Sequence, residues 1–226
     1  MERFPILGRL ASLIFLVALL AWARGAHAHP HMWIDARATV VFNQQGGLAA
    51  IDQTWLFDEM FTSYAMQGQA KDKKGDYSAE TLKAMADDWM DALGDPQSHY
   101  FTRVTVNGQS LKLGEPREAR VQWHRDTGRL GLSFVLPLAQ PLPAGPLQAD
   151  VDIFDPTFFV AYAFEPKTVA LRSAPAQCAH TYRPPRELDW KTMQQLAAIP
   201  ADPEALPDEL FAITKSLTHR IEVRCP

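Results

Sequence analysis

The stretch His31-Met32-Trp33-Ile34-Asp35-Ala36-Arg37-Ala38-Thr39-Val40-Val41-Phe42 decides the architecture. Met32, Ile34, Ala36, Ala38, Val40 and Phe42 fall on one side of an extended chain. His31, Trp33, Asp35, Arg37 and Thr39 fall on the other. Side chains of a strand point alternately to its two faces, so this is a strand whose even-numbered face is buried. Gln45-Gly46-Gly47 is a turn, and Leu48 to Phe57 reads as the returning strand of a hairpin.

Downstream the period changes. Asp58 can cap a helix running from Glu59 to about Gln67, because its carboxylate can accept from an amide of the first turn. A second helix has Ser78 as its cap and Leu82, Met85, Trp89 and Leu93 as its apolar stripe; Gly94-Asp95-Pro96 stops it. Strands then resume from Tyr100 to Val106, with Asn107-Gly108 turning the chain into Gln109–Leu113. Ala119–His124 and Leu130–Leu136 form a hairpin around Asp126-Thr127-Gly128. Pro137 to Pro146, with four prolines, is a loop. Leu147–Phe154 and Lys167–Arg172 are strands, Trp190–Ala198 is a short helix, residues 199–210 are a Pro-rich acidic connection, and Leu217–Cys225 is a last strand. The pattern predicts an α+β fold: an antiparallel, sandwich-like β core with a helical insert over residues 58–95.

Upstream of the first strand the composition is that of an export signal. Arg3 and Arg9 form a charged start, Leu10 to Trp22 is apolar apart from Ser12, and Gly25-Ala26-His27-Ala28 places small residues at −3 and −1 of a cut after Ala28. The apolar run is about 13 residues, short of the ~20 that span a bilayer. Residues 1–28 therefore read as a signal peptide, and residues 29–226 as one α+β domain delivered to the periplasm and not embedded in the membrane. The whole chain has 226 residues and a net charge of −4. Removing the signal leaves 19 basic and 25 acidic groups, a net −6. No nucleic-acid reading can rest on a basic face. In an oxidising compartment the two cysteines, Cys178 and Cys225, are most simply a disulfide that ties down the C-terminus.

The new N-terminus would be His29-Pro30-His31. An α-amino group has a pKa of about 7.7–8.0, so its neutral, metal-binding form is accessible near neutrality. The amine and imidazole of His29 can chelate one ion, and His31 adds a second imidazole. Three nitrogen donors suit Zn, Cu, Ni or Co. Pro30 has no N–H to lose, which blocks the square-planar mode that uses two deprotonated amides. An open site completed by other side chains, as in tetrahedral zinc, is left. Asp35 lies four residues past His31, roughly 13 Å at about 3.3 Å per residue, and is at most a supporting partner. Asp58 and Asp155, both set among aromatics, are candidate ligands; their structural roles would be helix cap and turn former. His99, His124 and His180 each stand alone in the sequence. Asp72-Lys73-Lys74-Gly75-Asp76-Tyr77-Ser78 looks faintly like a calcium loop, but Lys74, Tyr77 and Lys83 occupy ligand or glycine positions, so it reads as an ordinary turn. No nucleophile elbow, phosphate loop or HExxH is present.

The His-Pro-His-Met-Trp-Ile-Asp motif after the signal, Trp55 to Phe61, the degenerate Asp72–Glu80 loop, Asp155-Pro156-Thr157-Phe158-Phe159 and the late cysteine, in that order, resemble the periplasmic family of domain of unknown function 1007. That family is associated with NicO-type nickel/cobalt permeases, has members implicated in zinc acquisition, and is sometimes labelled the periplasmic component of an ABC-type transport system. The resemblance implies a protein that binds a divalent transition metal and passes it to an inner-membrane permease, with His29 and His31 as the direct carry-over and Asp58 and Asp155 as motif members. The longer histidine tracts of some relatives are missing here. Two other readings compete: a copper-dependent periplasmic enzyme built on the N-terminal His chelate, and an envelope interaction protein in which the histidines are incidental. The lack of a catalytic constellation favours binding over catalysis.

Overall fold

The computed structural model describes residues 30–96, 98–197 and 208–226. The expected signal segment, His29 and most of the Pro-rich acidic connection lie outside them. The decisive strand forms as its alternation requires: β1 (Met32–Phe42) buries every even-numbered side chain. It pairs antiparallel with β2 (Leu48–Phe57) around a turn in which the Asn43 carboxamide accepts from the Gln45 and Gly47 amides.

Two helices follow β2. The first, α1 (Glu59–Ala65), is capped by Asp58, and α2 (Ala79–Leu93) is capped by Ser78, each side chain accepting from an amide of the first turn. Next, β3 (Thr102–Val106) and β4 (Gln109–Leu111) form one hairpin; β5 (Arg117–His124) and β6 (Arg129–Pro137) form another. They are followed by β7 (Leu147–Ile153), β8 (Val160–Ala163), β9 (Val169–Arg172) and β10 (Ala179–Arg183). Two short helices, α3 (Trp190–Ala197) and α4 (Asp208–Lys215), precede the last strand, β11 (His219–Cys225).

One sheet runs β5-β6-β2-β1-β8, with β9 also on β1; the other runs β10-β11-β7-β3-β4. The fold is α+β, with two largely antiparallel sheets and a helical insert between β2 and β3. The exceptions to antiparallel pairing are β8 and β9, which lie parallel to successive halves of β1. β8 enters from β7 of the other sheet and β9 follows it along the same edge of β1, so neither is joined to β1 by a tight hairpin, which would force antiparallel pairing. The strand expected from Tyr100 starts at Thr102, because His99, Tyr100 and Phe101 take left-handed φ values of 46°, 53° and 50°. Helix α4 begins inside the stretch read as a connection, and β8 and β10 had no counterpart in the sequence reading.

The core fills the space between the sheets and under the insert, and Trp55 sits at its centre against Phe134 and Tyr162. A buried polar relay crosses it. The Trp55 indole donates to Gln53 Oε1, Gln53 Nε2 donates to Thr102 Oγ1 at 2.8 Å, and Thr102 donates to the Tyr100 carbonyl. Buried polar groups are tolerated when paired, and this relay joins β2 of one sheet to β3 of the other. Cys178 and Cys225 are joined as a disulfide, with Cα atoms 4.2 Å apart.

Candidate functional site

The first turn of β1 is clamped from both sides. On one side the Asp58 amide donates to the Trp33 carbonyl at 2.9 Å, and Asp58 Oδ2 accepts from the Trp33 amide at 2.7 Å. Its other oxygen caps α1 through the Phe61 amide. One carboxylate thus fixes both the strand and the helix. Asp35 is paired with Arg129, whose guanidinium also bonds the Phe57 and Leu56 carbonyls.

On the other side the Phe159 carbonyl accepts from the His31 and Met32 amides, and the His31 ring stacks on Phe159 at 5.0 Å. Phe159 is presented by a loop built on Asp155. Asp155 Oδ1 accepts from the amide and hydroxyl of Thr157, and Oδ2 accepts from the Val160 amide, all at 2.8 Å. Phe158 bends through φ 55° to let the loop close. Burial pushes the Asp155 carboxyl above its ordinary value, and the loop hydrogen bonds pull it part of the way back.

Asp58, Asp155 and His31 are therefore gathered at one place, through the backbone of residues 31–33. The two carboxylates spend their oxygens on amides and a hydroxyl. His99 lies in the left-handed turn, His124 at the far end of β5 beside Gly131, and His180 on the exposed strand β10. Among the described residues no three His, Cys, Asp or Glu side chains converge as a metal cage. The Asp72 carboxylate accepts from the Lys74 and Asp76 amides, as an ordinary turn does.

Beside the β1 start opens a cavity of about 330 Å³, with Pro30 and Trp33 at one end and Asp155, Tyr162, Met193 and His219 among its walls. His219 is buried, and burial lowers its pKa to about 4, with the Tyr162 carbonyl partly offsetting that. Its Nδ1 is 2.8 Å from the Tyr182 hydroxyl. The Tyr162 hydroxyl is buried without a hydrogen-bond partner. Burial, and then the charge of Asp155, push it well above its ordinary value. Sequence reasoning passed over Tyr162, Tyr182 and His219. The signal for His219 was present: it shares the β11 face of Ile221, Val223 and Cys225, where a polar side chain is out of place.

The family model described as "Protein of unknown function (DUF1007)" matches residues 14–225. The chain belongs to that family. It is also similar to an uncharacterized protein of Haemophilus influenzae, 26% identical over 152 residues, which are 66% of this chain and 69% of the relative. The match reaches from the expected signal segment to the disulfide cysteine at the C-terminus, so the clamp around β1 and the Asp155 loop both lie within the family region.

Proposed function

We propose that this chain is a periplasmic binding and delivery protein for a divalent transition metal, zinc first and nickel or cobalt next, serving an inner-membrane permease of NicO or ABC type. The metal is cargo, so the site has to be open and exchangeable. The observation that carries this reading is the fixed position of His31. Its backbone is pinned to Phe159 and its ring stacks there, immediately after His29 and Pro30. A clamped imidazole next to a terminal amine and a second imidazole is a nitrogen donor set suited to Zn or Ni. Asp58 and Asp155 act in this reading as the frame that holds residues 31–33, through the amides from which their oxygens accept.

Native mass spectrometry of protein exported through its own signal tests the proposal, with Zn(II), Ni(II) and Cu(II) added in turn. The expected species starts at His29 and retains one Zn(II) or Ni(II). Replacing both His29 and His31 with Ala should abolish retention while the circular dichroism spectrum stays unchanged. Metal bound equally well by the double variant would overturn the proposal. Exclusive retention of copper would favour the enzyme reading.

A further inference from the structure

The cavity beside β1 has a chemistry of its own. Its walls are mainly apolar, with Trp33, Phe154, Phe158, Leu188, Met193 and Leu217 among them. Two polar groups on those walls have unmet needs. Asp155 is 4% exposed, and its partners are the amides and hydroxyl of its own loop, none of them cationic. Tyr162 carries a buried hydroxyl without a partner, close enough to Asp155 to feel its charge. A buried carboxylate without a counter-charge and an orphaned hydroxyl both cost free energy that a ligand can recover. His219 adds a neutral imidazole whose Nδ1 is already engaged by Tyr182. The volume is within the range of small-molecule sites.

We infer that this cavity binds a small organic ammonium compound with an aromatic or branched apolar body. The ammonium supplies the positive charge Asp155 lacks and can bond the Tyr162 oxygen. It also lies among aromatic rings, whose faces attract cations. The body of the ligand fills the space between Trp33, Phe158, Leu188 and Met193. Exposed Arg186 on the rim would favour a ligand whose outer end is anionic, as in an apolar α-amino acid, over a simple amine. This site uses neither His29 nor His31, so it stands or falls apart from the metal proposal.

Isothermal titration of the full exported protein with 2-phenylethylamine, phenylalanine and the uncharged isostere 2-phenylethanol tests the inference. Saturable 1:1 binding of at least one of the two ammonium compounds is expected, at least tenfold tighter than the alcohol. Tyr162→Phe removes only the unpartnered hydroxyl, so it should keep or raise the melting temperature while weakening binding roughly tenfold. Ala161→Leu, on the cavity wall, should block binding by filling the space. Tighter binding of phenylalanine than of phenylethylamine would assign the amino-acid class, and the reverse order the simple amines. No saturable binding of either, an alcohol that binds as well as the amines, or a Tyr162→Phe protein with undiminished affinity would each overturn the inference.

Discussion

His219 is a basic side chain folded into apolar surroundings, and its burial makes stability depend on pH. Its folded pKa, about 4, lies below the ordinary 6.5. Between those values the unfolded chain binds a proton that the folded chain refuses. Stability is therefore complete above pH 6.5 and falls as the pH drops towards 4, by about 2 kcal/mol at pH 5. Asp155 acts in the opposite sense. Its raised pKa makes the folded chain take up a proton before the unfolded one, so the cost of its burial is relieved as the pH falls towards 3.8. Urea unfolding of the wild type and of His219→Gln at pH 7 and pH 5 separates the two groups. The variant should lose about 2 kcal/mol less than the wild type over that interval. Equal losses would mean that the imidazole protonates freely in the folded protein.

The elements built from local periodicity were legible, and those made by tertiary pairing were not. The alternation of β1 and the caps Asp58 and Ser78 could be read directly, because each is a short-range pattern with its own chemistry. Val160–Ala163 is four residues long and exists as a strand because β1 offers it an edge, which no local signal announces. Ala179–Arg183 is polar and exposed, and it pairs with β11 beside the disulfide. The candidate site divides in the same way. His31, Asp58 and Asp155 stood out as chemical types near aromatics, but whether they bind a ligand or hold the backbone depends on hydrogen bonds between residues as far apart as Trp33 and Asp58. The disulfide gives this scale its prediction. It spans 47 positions and anchors the last strand, whose neighbours are β10 and β7. Loop-closure entropy for that span is worth about 4 kcal/mol. Replacing both Cys178 and Cys225 with Ala should lower the free energy of unfolding by 2–4 kcal/mol in denaturant titrations. A change under 1 kcal/mol would show that β11 is held by pairing alone.

Across the whole molecule the apolar interior divides into two parts of unequal strength. One continuous cluster joins both sheets to the helical insert through Met66, Ala86 and Met90. A second, small cluster is formed by Phe158, Leu196 and Leu217, with Leu188, Ile213 and Ala161 against it; together with the Phe154–Phe211 ring contact it joins α3 and α4 to the body. The cavity lies at the seam between them: Trp33, Asp155 and Tyr162 come from the sheet side, and Phe158, Leu188 and Leu217 from the small cluster. Local opening costs least where few apolar contacts are broken. The α3–α4 unit should therefore open without unfolding the sheets, exposing the cavity and giving a ligand its way in. Hydrogen exchange followed by mass spectrometry reads this directly. Amides of residues 190–197 and 208–215 should exchange through an opening well below the global free energy, while those of β1, β2 and β7 exchange only on global unfolding. Saturating 2-phenylethylamine or phenylalanine, whichever binds, should slow the first group and leave the second unchanged, because the ligand bridges the seam. Equal protection of the helices and the sheets without ligand would mean that the two clusters form a single cooperative core, and that the cavity opens by some other route.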